Sequence, residues 1–317
     1  MYIFFFVLPL AGQTGGPPKP ETAYALSAAP VFGFLYGQSE ELVYKQAKNS
    51  TLLSQLIWEI KPLFLLGASL DLDRRYPMEK WGFFVNLTAQ FSIPLKTGTM
   101  EDRDWLALGS QLSHFSSHDN YTYWAMFFDV SGGFSLPLRS QMLFKFYAAL
   151  NYMQFKWAAR DGYHQYGSDI GGSYSPWTKD LKKISDSGPV IFYTQNWFII
   201  TPGISLYIPL YRFFSVNIDF QISPLVFCLD QDNHIQRGLQ FNDYMFGGVF
   251  FEPRGAFVLS LHKKIALSAY VSYRVIKDLR GYIVQKDLNS SIAKTYQDQA
   301  GAAYSALGGG LSLKIRF

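Results

Sequence analysis

Residues 265–275 read IALSAYVSYRV. Ile265, Leu267, Ala269, Val271, Tyr273 and Val275 alternate with Ala266, Ser268, Tyr270, Ser272 and Arg274. Successive side chains of a strand point to opposite sides, so the segment predicts a strand with one greasy face and one more polar face. The same period recurs elsewhere. Val85, Leu87, Ala89, Phe91, Ile93 and Leu95 alternate with Asn86, Thr88, Gln90, Ser92 and Lys96, and Val216, Ile218, Phe220 and Ile222 with Asn217, Asp219, Gln221 and Ser223. At the chain end Leu311, Leu313, Ile315 and Phe317 alternate with Ser312, Lys314 and Arg316.

A soluble sandwich shows such alternation too, so other features decide. Many of these strands exceed the five or six residues usual in soluble proteins. Short turns near 135–139, 209–212 and 262–264 alternate with long polar stretches. Of 317 residues, 16% are charged and 18% aromatic, a membrane-like balance. Yet after Leu10 no run of about 18 apolar residues exists to make a spanning helix. The longest charge-free stretch, Ser187 to Tyr211, is broken by Pro202, Gly203 and Pro209. Together these predict an all-β fold: a transmembrane antiparallel β-barrel of the bacterial outer membrane, with long extracellular loops and short periplasmic turns.

Counting segments gives ten strands, roughly 24–38, 52–70, 79–96, 120–134, 139–160, 190–208, 212–228, 244–261, 264–280 and 303–317. Outward loops are then expected near 39–51, 97–119, 161–189, 229–243 and 281–302. So narrow a barrel fills its interior with side chains and is better suited to displaying groups at its rim than to conducting solutes. Residues 1–22 read as a leader: Tyr2 to Leu10 are apolar and a Gly/Pro-rich stretch follows, although the basic start of a secretory signal is missing. The barrel is expected over 23–317, as a monomer. A net charge of +4, with Lys182-Lys183 and His262-Lys263-Lys264 as the densest basic groups, gives no nucleic-acid footprint. The lone Cys228 allows no internal disulfide and no multi-cysteine metal site.

Two acidic clusters fall where strands enter outer loops. Asp102 and Asp104 share one side of an extended chain, as do Asp230, Asp232 and His234. Facing carboxylates raise one another's pKa, and a carboxylate beside a histidine orients its ring. If the clusters face across the mouth, they can hold a water between them, with His234 as general base and Asp232 orienting it. The bland alternative is a solvated acidic rim of turn-forming residues. A metal site built from His114, His118, Asp119, Asp232 and His234 has only helical spacing in a loop to support it, so no metal is expected.

These residues resemble the omptins, ten-stranded outer-membrane proteases of Gram-negative bacteria. The resemblance runs through Glu41-Leu42-Val43-Tyr44, Ser54-Gln55-Leu56-Ile57-Trp58, Gly98-Thr99-Met100-Glu101-Asp102-Arg103-Asp104-Trp105, Ser116-Ser117-His118 and Asp230-Gln231-Asp232-Asn233-His234. It implies an aspartyl, histidine-dependent endopeptidase. Asp232 and His234 would form a dyad, and Asp102 and Asp104 an opposing pair, around a water that attacks the peptide. Glu41 and Asp230 would bind a basic side chain, so the implied partners are peptides or proteins with Arg or Lys. The family's further acid in the second loop falls near Phe115, which departs from a strict dibasic preference. The resemblance implies lipopolysaccharide or another outer-membrane lipid as activator and no other cofactor. The matching wall positions are Tyr152, Gln154, Lys156 and Asn196, where an acid and two arginines of the family are replaced; Tyr152 and Lys156 remain as a weak lipid site. The alternative is a non-enzymatic surface barrel, an adhesin or host-factor receptor, with aromatic loops around Tyr163 to Trp177.

Overall fold

The structure is a computed structural model and describes residues 23–45, 51–75, 81–138, 142–290 and 292–317. The expected leader, 1–22, lies outside the described residues. In chain order the strands are β1 Ala23–Tyr44, β2 Leu52–Arg75, β3 Gly82–Ser92, β4 Leu95–Asp104, β5 His114–Pro137, β6 Leu143–Tyr166, β7 Ile184–Ser185, β8 Pro189–Tyr211, β9 Phe214–Ser223, β10 Leu225–His234, β11 Leu239–Phe246, β12 Val249–His262, β13 Ile265–Asp287 and β14 Ala293–Arg316. Three pairs of these are single staves with a local break. Pro94, between β3 and β4, and Pro224, between β9 and β10, have no amide hydrogen for the ladder. Gly247 and Gly248, both at positive φ, separate β11 from β12. β7 is a two-residue addition against Tyr163 and His164 of β6.

Ten staves result, each antiparallel to its neighbours. The ring closes because β1 pairs with β14 through Val31↔Ser312 to Val43↔Ala300 as well as with β2. Closure leaves no free edge, so every ladder group inside a bilayer finds a partner. The segment 265–275 pairs with β12 on one side and β14 on the other, and its apolar residues Leu267, Val271 and Tyr273 face outward and are exposed.

The staves run further than the sequence suggests. About 9–11 residues cross a membrane, whereas β2, β5, β6 and β14 each have 24. On β1 the exposed outward residues Phe32, Phe34 and Tyr36 give way to Gln38 and Glu40, and on β10 Leu225, Phe227 and Leu229 give way to Gln231 and Asn233. The apolar band therefore ends at about Tyr36 and Leu229, and the ladder continues above it. This corrects the expected loops: β4 reaches Asp104, β5 begins at His114, and β10 and β11 occupy most of 229–243. The outer segments are polar on both faces, which hides them from a hydrophobicity pattern. Their backbone groups still need partners, and the ladder supplies them.

Just below the rim the lumen is closed by stacked rings. Trp58 lies 5.1 Å from Tyr193 and 5.6 Å from Trp157, which stacks on Phe155 at 4.6 Å. Met100, Met153, Trp197 and Tyr304 are buried around them. Toward the short turns, Arg274 Nε donates to Glu252 Oε2 at 2.7 Å. The rings form a floor, and the upper ends of the staves form the walls of a cleft above it.

Candidate active site

The direction of Asp102 and Asp104 depends on a bulge. Registers shift between Lys96 and Gly98 opposite β5, so Thr97 is an extra residue. Gly98 has φ +122, and a Cβ there would meet Glu59 Oε2 at 2.6 Å. That Glu59 oxygen accepts from the Thr99 backbone N–H at 2.9 Å and its hydroxyl at 3.0 Å, fixing the strand just past the bulge. A bulge resets which residues face inward. Beyond it Met100, Asp102 and Asp104 share the inner face, with Met100 and Asp102 buried.

On β10 the inner face carries Val226, Cys228, Asp230, Asp232 and His234 in unbroken alternation. Asp232 Oδ2 lies 2.7 Å from His234 Nε2. Burial pulls the His234 pKa down, but the Asp232 charge and hydrogen bond outweigh it and hold the imidazole above its ordinary value. Asp102 is lifted to about 8 by burial and then by Asp104, against the opposing pull of His234 and Arg237. That coupling places the β4 acids and the β10 dyad within one another's field, across the mouth. Ser54 Oγ lies 3.5 Å from Asp102 Oδ1.

Asp230 sits one step deeper. The Tyr193 hydroxyl donates to Asp230 Oδ2 at 2.7 Å and accepts from Gln195 Nε2 at 3.0 Å. Gln195 Oε1 is held by Ser39 Oγ at 2.6 Å and Trp197 Nε1 at 2.9 Å. This chain of alternate residues on β8 anchors one carboxylate oxygen of Asp230. Burial is the main force lifting Asp230 to about 8, with Asp232 adding to it. Glu41 reaches the same pocket from β1, and burial, Asp232, Asp230 and Asp243 push its pKa well up, in that order.

Asp243, on β11, was not singled out from the sequence. It is the register partner of Asp230 across the hairpin 235–238. The signal was present: the hairpin turns at Gly238, with φ +63, and counting back from His234↔Leu239 sets residue 243 against 230. Arg237 was also missed. Exposed in the 3₁₀ turn Ile235–Arg237, it acts on the charge of Asp102 and bonds to Tyr166.

Ser116 and His118 form a neighbouring pair. His118 Nδ1 bonds to the carbonyl of Asp161, so that nitrogen carries the proton, and Nε2 accepts from Ser116 Oγ at 3.0 Å. His114 turns instead to Ser113 Oγ at 2.7 Å and to the rings of Tyr166 and Tyr174. Among the described residues no group of three His, Cys, Asp or Glu is arranged to hold a metal ion.

Phe115 does not face the cleft. It is register partner of Arg103, one residue out of phase with Asp102 and Asp104, and its ring packs with Tyr163 at 6.2 Å and Trp177 at 5.6 Å. The 167–183 segment folds over this patch, anchored by Trp177 N to Leu112 O at 2.7 Å and by Gln165 Nε2 to the carbonyls of Lys179 and Leu181. On the outer wall, Tyr152 donates to Asn196 Oδ1 at 2.9 Å, and Gln154 Nε2 reaches the same oxygen at 2.8 Å. These neutral groups satisfy one another, with Lys156 exposed beside them.

The chain matches the profile of the Omptin family over residues 22–317. It is 25% identical over 229 residues to the plasminogen activator of Yersinia pestis. That match covers 69% of this chain and 66% of the relative, just under two thirds of its length. The crystal structure of the outer membrane protease OmpT from Escherichia coli superposes with a TM-score of 0.80, covering 92% of this chain and 97% of that one at 17% identity. That structural likeness establishes the fold. Family and fold together place this chain in the bacterial outer membrane, with the acid-lined cleft at the exterior end.

Proposed function

The chain belongs to the omptin family, and from that premise we propose that it is an outer-membrane endopeptidase hydrolysing peptide bonds next to basic residues. One observation carries the reading: an Asp232–His234 pair at 2.7 Å, set opposite Asp102 and Asp104, beside acids that have no cation of their own. In this mechanism Asp232 accepts from His234 Nε2–H and fixes the tautomer, leaving Nδ1 to take a proton from water. Asp102 and Asp104 hold that water from the opposite side. The hydroxide adds to the carbonyl carbon, and the imidazolium returns its proton to the departing amine. Glu41 and Asp230 bind the Arg or Lys side chain before the scissile bond, where each charge-assisted hydrogen bond is about twice as strong as a neutral one.

A lipid contact at Tyr152 and Lys156 belongs to the same proposal, and it is weak. One ammonium beside neutral hydrogen-bonding groups is a poor match for a phosphate that would favour bidentate arginines. The purely adhesive alternative loses one support, because Tyr163 and Trp177 pack on Phe115 rather than standing free.

The test is a fluorogenic peptide with a single Arg. The His234→Ala protein should be slower by about 10²–10⁴-fold, the usual worth of a general base. Equal inertness of both proteins across pH and added lipid would leave the barrel without the activity.

A further inference from the structure

The acid pocket holds more carboxyl groups than Glu41 and Asp230 supply. Asp243 is 1% exposed, and neither of its carboxylate oxygens has a hydrogen-bond partner. Its register pairing with Asp230 sends both side chains to the same face of the sheet, into the barrel. Glu41 Oε2, Asp230 Oδ1 and Asp232 Oδ1 are also buried without partners. Buried carboxylate oxygens left unmatched are costly, and each retained one needs a reason.

Nothing among the described residues supplies that reason. Arg274 is bound to Glu252 and Met153 lower in the lumen, and Arg237 acts at the rim on Asp102 and Tyr166. The arrangement suits a guest that brings many donors and a positive charge. Five unmatched oxygens, on Glu41, Asp230, Asp232 and Asp243, line the pocket. A guanidinium carries five N–H donors in a planar fork, whereas an ammonium carries three on a compact point.

We propose that Asp243 is a specificity-determining residue of this pocket, a third carboxylate in the wall that selects a guanidinium side chain over an ammonium. Glu41 and Asp230 together provide the charge for any basic residue. Asp243 completes the donor-by-donor match that only arginine satisfies. The mutual repulsion of these acids agrees with this assignment: burial, then Asp230 and Asp232, push the Asp243 pKa well above its ordinary value. A cation between them relieves the repulsion. The inference rests on the peptidase reading of the site, and its test separates the two.

Binding is measured by calorimetry on the His234→Ala protein, so that the peptide survives. The probes are two capped heptapeptides of alanine that differ only in a central Arg or Lys. With Asp243 intact, the Arg peptide should bind about tenfold more tightly, as expected for added charge-assisted bonds. In the Asp243→Asn background the Arg peptide should weaken by about tenfold or more and the Lys peptide by less than about threefold, erasing the preference. Asp243→Glu keeps the charge but moves the carboxylate, and should hold Lys binding while losing the Arg preference. Unboiled electrophoretic mobility confirms that each barrel is folded. An unchanged Arg-to-Lys ratio in Asp243→Asn overturns the proposal, as does an equal loss for both peptides. Cleavage assays on the proteins with His234 intact report separately. Intact discrimination without cleavage removes the peptidase reading alone, and cleavage with no effect of Asp243→Asn removes this inference alone.

Discussion

In the proposed mechanism His234 sets the pH at which the dyad works. Its pKa lies above the ordinary 6.5 because the Asp232 charge and hydrogen bond outweigh burial. The general base must be neutral, so kcat/KM should rise with pH, with a midpoint above 6.5. Asp232→Asn removes the group that raises the pKa and leaves the burial that lowers it. The rising limb should therefore move to lower pH while the maximal rate falls. A pH–rate profile of the two proteins checks both changes. A limb that stays in place while the rate drops would mean that Asp232 orients the ring without tuning it. The same residue-scale logic applies below the dyad, where Tyr193, held through Gln195 by Ser39 and Trp197, occupies one Asp230 oxygen and leaves the other toward the pocket.

Among the elements, the bulge at Thr97 and Gly98 connects fold to chemistry. Gly98→Ala puts a Cβ at φ +122 against the Glu59 carboxylate that holds Thr99. We expect a loss of about 1–3 kcal/mol in denaturant titration, the usual range for such backbone strain. The rate should drop further than the substrate affinity, because Asp102 shifts while the pocket acids on β1, β10 and β11 do not. How much of this was legible follows from the same elements. The alternation in 265–275 and 216–223 predicts strands because one face meets lipid. It fails above the membrane, where β4 and β10 continue with polar residues on both faces, so the chemistry falls in strands rather than in the expected loops. The i, i+2 spacing of Asp102 with Asp104 and of Asp230 with Asp232 and His234 survives that error, because an extended chain sets it wherever the strand ends. Phe115 was misplaced for a related reason: its position in the chain is near the site, but its phase in β5 turns it away. Asp243 was legible only through the hairpin register, which requires the turn at Gly238 to be placed first.

On the scale of the whole molecule, a closed ten-stave ring isolates the exterior cleft from the periplasm. The stacked Trp58, Trp157 and Tyr193 form its floor. An apolar band that ends at about Tyr36 and Leu229 puts the acids just outside the hydrocarbon, where water can reach them. The outer wall near Tyr152 is hydrogen-bonded within itself, with Lys156 exposed beside it. Lipopolysaccharide added to detergent-purified protein should therefore change the rate only slightly. A large activation would instead require a lipid site elsewhere on the wall.

The central claim is that Asp232 and His234, with Asp102 and Asp104 opposite, hydrolyse peptide bonds beside basic residues. A randomised peptide library, digested by the purified barrel and read by mass spectrometry beside its His234→Ala counterpart, tests this most directly. The account predicts cuts immediately after Arg, fewer after Lys, and almost none with His234→Ala. Cuts that ignore basic residues, or a His234→Ala protein that cleaves as fast as its parent, would contradict it.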